Sequence, residues 1–159
     1  MIDIKKHSGI YTLTSEQQLP ISIEEAWNFF SSPKNLAEIT PKNMGFVITS
    51  ELPPKAYTGQ IITYKIGILF SIKTSWVTEI THVEHLSHFI DEQRFGPYSM
   101  WHHEHFFTSL PNGNTLMKDK VSYKIPLGIL GHLAHVIFVK KQLLNIFKYR
   151  FDTLNKKFG

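Results

Sequence analysis

The chain has no cysteine among its 159 residues. That excludes a disulfide framework, thiolate catalysis and Cys-ligated zinc, and it suits a reducing compartment, so a cytoplasmic location is the expectation. Charge is sparse too: Asp, Glu, Lys and Arg make up 19% of the residues, with a net charge of +4. A field that weak lacks the dense basic stripe of a nucleic-acid-binding protein. The opening residues, Met1-Ile2-Asp3-Ile4-Lys5-Lys6, contain no hydrophobic signal-peptide core. The longest apolar stretch, Ile125 to Val139, is too short to span a bilayer and holds His132 and His135. No repeat, linker or low-complexity run divides the chain. Residues 1–159 read as one domain, long enough to bury a real core.

Aromatic residues, by contrast, are abundant at 13%, with 12 Phe and 3 Trp. Three of them fall in Trp101-His102-His103-Glu104-His105-Phe106-Phe107, beside three histidines. Read as a strand with its period of two, this segment places Trp101, His103, His105 and Phe107 on one face and His102, Glu104 and Phe106 on the other. A plain core strand would use Val, Ile or Leu there. Two aromatics bracketing two histidines instead describe the wall of a small-molecule pocket, apolar with a few convergent polar groups.

Along the chain, Ile10 to Leu19 reads as a strand ended by Pro20. Ser22-Ile23-Glu24-Glu25 has capping-box spacing and opens a short apolar helix through Ala26, Trp27, Phe29 and Phe30. A second helical turn covers Lys34 to Ile39. Strands follow over Met44 to Glu51, Gln60 to Ile66 (with a turn at Gly67), Ile68 to Thr81, Leu86 to Phe95, Tyr98 to Leu110 and Asn114 to Ile125. Pro111-Asn112-Gly113-Asn114 marks a hairpin. A two-residue loop would set Trp101 and His103 against lysines, whereas a three-residue loop with a bulge at Gly113 or Asn114 keeps the inner faces together. That register puts Asp119 opposite His105 or Phe107, and Tyr123 near Trp101 or His103. From Pro126 the period becomes helical, with an apolar stripe of Leu133, Ile137, Leu144, Phe147, Phe151, Leu154 and Phe158.

Several residues stand out against this frame. His103 and His105 can meet a ligand, act as acid or base near neutral pH, bind a metal, or brace the sheet through Asp119, Asp91 or Tyr123. Nothing in the spacing fixes a metal's ligand count or geometry, and no metal or cofactor is expected. Asp91 and Gln93 share a face with Phe89 and Phe95 if their strand alternates regularly. A carboxylate there needs a partner, unless the strand lies at an edge and Asp91 is solvated. Lys140 projects near the centre of the helical stripe. It either places an ammonium near the cavity, or snorkels, or is turned outward by a kink. Trp76, Trp101 and Tyr123 form aromatic walls if the inner-face assignment holds.

The order of strand, two short helices, six strands and long helix resembles the helix-grip fold of the START-like superfamily, which includes Bet v 1-like proteins, polyketide cyclases and dehydrases, and coenzyme-Q-binding proteins. Local wording is similar to bacterial ligand-binding SRPBCC proteins: Leu19-Pro20 before the Trp27 helix, Ser32-Pro33-Lys34-Asn35-Leu36, Ile39-Thr40-Pro41, Met44-Gly45-Phe46, Phe89-Ile90-Asp91-Glu92-Gln93, Gly96-Pro97-Tyr98, the Trp101-to-Phe107 strand, Asp119-x-Val121-x-Tyr123 and Pro126-Leu127-Gly128. The resemblance implies an α+β fold in which a seven-stranded antiparallel sheet wraps a long C-terminal helix around a deep cavity. It does not imply a reaction.

The expectation is therefore a binding protein for a lipid, isoprenoid or polyketide-like molecule. Trp76, Trp101, Phe107 and Tyr123 would supply apolar contact, and Asp91, Gln93, His103, His105, Asp119 and Lys140 would meet the polar end. The alternative is a cyclase- or dehydratase-type enzyme with a cavity histidine as general acid/base. An interaction module would need an exposed patch that the sequence does not locate. Attachment to anionic lipid would be peripheral at most and would need the helix's apolar face free. The sheet is expected to occupy that face.

Overall fold

The structure is a computed structural model that describes residues 2–69 and 72–159. The strands are β1 (Ile2–His7), β2 (Ile10–Leu19), β3 (Val47–Ile48), β4 (Gln60–Leu69), β5 (Ile72–Glu84), β6 (His88–Phe95), β7 (Met100–Ser109) and β8 (Thr115–Lys124). They form one sheet in the order β1-β2-β8-β7-β6-β5-β4-β3, with each neighbouring pair antiparallel. Helix α1 (Ile23–Phe30) and two short 3-10 turns follow β2. Helix α2 (Gly128–Ala134), a π-helical turn (His135–Val139) and α3 (Lys140–Phe158) close the chain.

Among the described residues the expected seven strands are eight. The addition is β1, whose residues were legible only as lacking a signal core; it pairs along β2 from Ile2 opposite Ser15 to His7 opposite Ile10. The strand expected over Met44 to Glu51 shrinks to Val47–Ile48, because a 3-10 turn over Lys42–Met44 precedes it and Gly45 sits in the left-handed region at φ 55°. The turn expected at Gly67 is absent. There β4 continues to Leu69 through a bulge, with Gly67 opposite Lys73, and the β4–β5 tip lies outside the described residues.

Helix α1 begins as its sequence requires, with the Ser22 hydroxyl accepting from the Glu25 amide at 3.2 Å. It buries Ala26, Trp27 and Phe29. The β7–β8 hairpin adopts the three-residue loop: Leu110 N–H donates to Asn114 O at 2.8 Å, and Gly113 takes φ 80°. Trp101 therefore faces Tyr123, His105 faces Asp119 and Phe107 faces Met117.

The interior has two apolar clusters with a polar belt between them. One, beneath α1, contains Leu19, Trp27, Phe89, Phe107, Met117 and Leu154. The other contains Tyr11, Leu13, Val121, Tyr123, Leu143 and Phe147. Three elements that cross the interior change chemistry in mid-course: Phe107 to His105 and His103 on β7, Met117 to Asp119 on β8, and Leu154 to Arg150 on α3.

The helical stripe does not run straight. Leu133 is 55% exposed and Ile137 69% exposed. The π turn inserts extra residues into the helical period and rotates what precedes it away from the sheet. The inward residues before α3 are Gly131 and His135. A Cβ on Gly131 would lie 2.0 Å from Pro126 O, so only glycine allows α2 to pack this closely.

Candidate functional site

A cavity of about 170 Å³ lies between the sheet and α3, bordered at one end by α1 and the 3-10 segments. Strands β4 and β5 supply Ile62, Tyr64, Trp76, Thr78 and Ile80. Strands β6 and β7 with their connection supply Phe89, Asp91, Tyr98, Trp101, His103 and His105. Helix α3 supplies Leu143, Ile146, Phe147 and Arg150. The aromatic wall is continuous: Trp76 meets Trp101 edge to face at 5.3 Å between ring centroids, and Tyr98 lies 4.8 Å from Trp101.

Of the residues singled out in the sequence, Trp76, Asp91, Trp101, His103 and His105 line this cavity, and five others do not. Phe107 packs under α1, edge to face with Trp27 at 5.7 Å. Tyr123 turns towards the other cluster, stacked on Tyr11 and 2.8 Å from His135 Nε2 through its hydroxyl. Gln93 braces the β6–β7 connection, donating to Tyr98 O at 2.6 Å and accepting from Tyr98 N–H at 3.2 Å, which holds the Tyr98 ring against the cavity. Asp119 lies behind the histidines and is 3% exposed. Lys140 is exposed, because the π turn ends immediately before it and swings it off the buried face.

The polar belt is a compact ionic cluster. His103 Nε2 donates to Asp119 Oδ1 at 2.9 Å, and His105 Nε2 donates to Asp91 Oδ2 at 2.9 Å. His105 Nδ1 also lies 2.9 Å from Asp119 Oδ1, but off the hydrogen-bonding direction, so this is an ion contact only. His103 Nδ1 is 3.6 Å from Asp91 Oδ2. Arg150 Nη1 donates to Asp119 Oδ1 at 3.2 Å. Both imidazoles thus direct one nitrogen to Asp91, on the cavity side, and the other to Asp119 behind.

Burial alone would raise both carboxyl pKa values. Arg150 and the two histidines outweigh it at Asp119 and hold that group well below the usual range. At Asp91 the hydrogen bond from His105 and the nearby positive charges also win, and its pKa is lowered. The histidines diverge. Burial, then the charge of His105, push His103 down. Burial acts the same way on His105, but its contacts with Asp119 and Asp91 outweigh it, and the net shift is upward. At a pH between the two histidine values, Asp91 and Asp119 are ionised, Arg150 and His105 cationic, and His103 neutral. The charges cancel, as a buried cluster requires.

The neutral His103 donates through Nε2, so Nδ1 holds its lone pair. On residues that border the cavity, Ser31 Oγ, Trp76 Nε1 and Arg150 Nε are buried without a hydrogen-bond partner among the described residues. Asp91, His103 and His105 offer ligand atoms within 4.8 Å of one another, so these are the residues that would hold a divalent cation. It would have to displace the His105–Asp91 hydrogen bond.

Arg150 escaped the sequence reading, although its signal was present. It stands three residues after Phe147 and four before Leu154, on the same helical face.

Neither a family model nor a curated protein matches this chain. Solved structures do. A protein from Arthrobacter aurescens superposes with a TM-score of 0.71 at 11% identity, covering 97% of this chain and 91% of its own. A START superfamily protein from Mycobacterium smegmatis gives 0.69 at 11% identity over 92% and 96%. Ara h 8.0201 gives 0.58 at 14% identity over 93% and 99%. At these identities the likeness is one of fold: this chain has the START and Bet v 1-like helix-grip fold.

Proposed function

We propose that this helix-grip chain is a binding protein for a small molecule with an apolar or aromatic body and a hydrogen-bond-accepting end, of lipid, isoprenoid or polyketide-like character. The observation that carries this reading is an aromatic-lined cavity bordered by residues, Ser31, Trp76 and Arg150 among them, that hold buried donors without a partner. A buried donor without a partner is costly, and a ligand acceptor relieves that cost. At about 170 Å³ the space is comparable with the apolar cavities of ~150 Å³ that take up benzene. One ring or a slender chain fits without rearrangement. The cluster of Asp91, His103 and His105 would orient the ligand's polar end.

The test compares acetophenone with ethylbenzene, which share a ring body and differ in the acceptor. The ketone should bind about fivefold or more tightly, as one net hydrogen bond supplies. Trp76→Phe keeps the ring wall and removes the indole donor, so it should erase much of that preference and spare affinity for the hydrocarbon. If neither compound binds, or the ketone gains nothing, the reading fails.

A second reading, proton transfer on a bound carbonyl compound, is favoured by the opposed shifts of the two histidines. Neighbouring groups whose environments drive their pKa values apart are how one site holds an acid and a base together. His103 Nδ1 would be the base, and the His105 imidazolium the acid. Exchange of the α-hydrogens of phenylacetone in heavy water, faster with this protein than with His103→Gln, would support it. Equal rates would remove it.

A further inference from the structure

Helix α2 and the π turn are amphipathic in the wrong sense for a helix that serves only to pack. The inward positions are Gly131 and His135, the latter bonded to the Tyr123 hydroxyl at 2.8 Å and stacked on Tyr11 at 3.6 Å. The outward positions are apolar. Ile129 is 89% exposed, Leu130 69%, Leu133 55%, Val136 61% and Ile137 69%. These positions, i, i+1, i+4, i+7 and i+8, form one stripe on a helical surface. Leu127, at the start of α2, is 77% exposed and held at φ 70°, a left-handed conformation that residues with a side chain rarely adopt. Scattered exposed leucines are ordinary, but a contiguous stripe of this kind marks a contact surface. The sheet does not cover this face, contrary to the expectation from the sequence.

The charges around the stripe identify the occupant. Lys124 precedes it, Lys140 and Lys141 follow it, and Lys6 on β1 reaches to 3.4 Å from His132 on α2; all four are exposed. Among the described residues none of these four forms an ion pair. Lys5, beside them, is paired with Asp3 at 3.6 Å. No aspartate or glutamate occurs between Asp119 and Asp152. Two copies meeting through this face would bring their lysines together with no carboxylate to answer them, which disfavours a symmetric dimer. A surface that is apolar at its centre, cationic at its rim and carried on a short helix is instead suited to the interface of a bilayer containing anionic phospholipid. There the apolar stripe enters the acyl boundary and the ammonium groups meet the headgroups.

We propose that α2 and the π turn are a membrane-docking element, by which this protein attaches peripherally to anionic bilayers. The proposal does not depend on the ligand reading, because none of these residues lines the cavity.

Sedimentation with extruded vesicles tests it directly. The protein should bind phosphatidylcholine vesicles containing about 30 mol% phosphatidylserine, and bind phosphatidylcholine alone at least tenfold more weakly. Raising salt from about 0.1 M to about 1 M should release most of it. Lys140→Gln with Lys141→Gln should lower partitioning roughly thirtyfold at low salt, and much less at high salt. Ile129→Ser with Leu130→Ser should lower it by more than about tenfold, with thermal unfolding unchanged because both side chains already face solvent. Failure to bind anionic vesicles overturns the proposal, as does binding that the two serines leave intact. A dimer in solution that the same two serines dissociate would assign the stripe to self-association instead.

Discussion

Replacing Arg150 with Met removes the guanidinium from the buried belt while keeping a long apolar side chain in its place. Arg150 is 8% exposed and its partner Asp119 3% exposed, so the pair is desolvated on both sides. Breaking a buried pair by removing one partner costs about 3–5 kcal/mol, against about 1 kcal/mol or less for a pair in water. In a chain of this size each kcal/mol moves the melting temperature by about 2–4 °C, so the expected loss is about 6–20 °C. The cost should also depend on pH, with a sign set by His103. Without Arg150 the cluster has two carboxylates against one imidazolium, a net charge of −1. His103, whose pKa is held down by burial and by His105, is then drawn up and takes a proton on the acid side, which restores neutrality. Arg150→Met should therefore cost less at about pH 5.5 than at about pH 8, where His103 stays neutral. Urea unfolding of Arg150→Met, Asp119→Asn and the double variant at both pH values measures this. A coupling energy above about 1 kcal/mol is expected in the cycle. A loss below about 1 kcal/mol, or the same loss at both pH values, would refute charge balance as what holds the belt.

Leu154→Ala should cost about 2–5 kcal/mol by chemical denaturation, because Leu154 is 0% exposed and sits between α1 and the sheet; a loss below about 1 kcal/mol would mean that α3 is not packed as described. Acid should destabilise the wild-type protein before its carboxylates titrate. Burial, helped by the charges of His132, Lys140 and Lys6, holds His135 down at about 4, and His103 is lowered as well. The unfolded chain binds these protons near pH 6.5 and the folded chain refuses them, so stability falls as the pH drops from there towards 4. His135→Gln should flatten part of that slope in melting curves recorded against pH, and an unchanged slope would show that His135 does not carry it. The stabilisation from Asp91 and Asp119, both depressed, disappears only at lower pH, as each is protonated through its folded value. That from His105, which is raised, is complete below pH 6.5 and disappears as the pH rises through its folded value.

Much of the site was legible in the sequence. Alternation along Trp101 to Phe107 put His103 and His105 on the inner face, and the hairpin residues supported a register with Asp119 opposite His105 or Phe107, of which the structure has His105. Short-range rules suffice there, because strand period and turn chemistry are local. The same locality explains the misses. Alternation assigns Phe107 and Tyr123 to the inner face correctly, but which part of that face borders empty space depends on where α1 and α3 lie. Gln93 was placed by regular alternation, yet a bulge opposite Val77 and Thr78 and the bend at Gly96 direct its amide to the Tyr98 backbone. Lys140 and Arg150 are the clearest contrast. Ideal periodicity puts both on the buried stripe, and the π turn moves the first into solvent while leaving the second beside Asp119.

The sequence by itself determined the alternating faces, the capped α1 and the three-residue β7–β8 loop, because each follows from interactions between residues close along the chain, and its order of elements carried the resemblance to the helix-grip fold. Only the tertiary structure decided the rest: the charge-balanced belt across β6, β7, β8 and α3, the cavity beside it, and the outward rotation of the α2 stripe. Those depend on groups distant in sequence meeting in a low-dielectric interior, where pairing or its absence outweighs local preference.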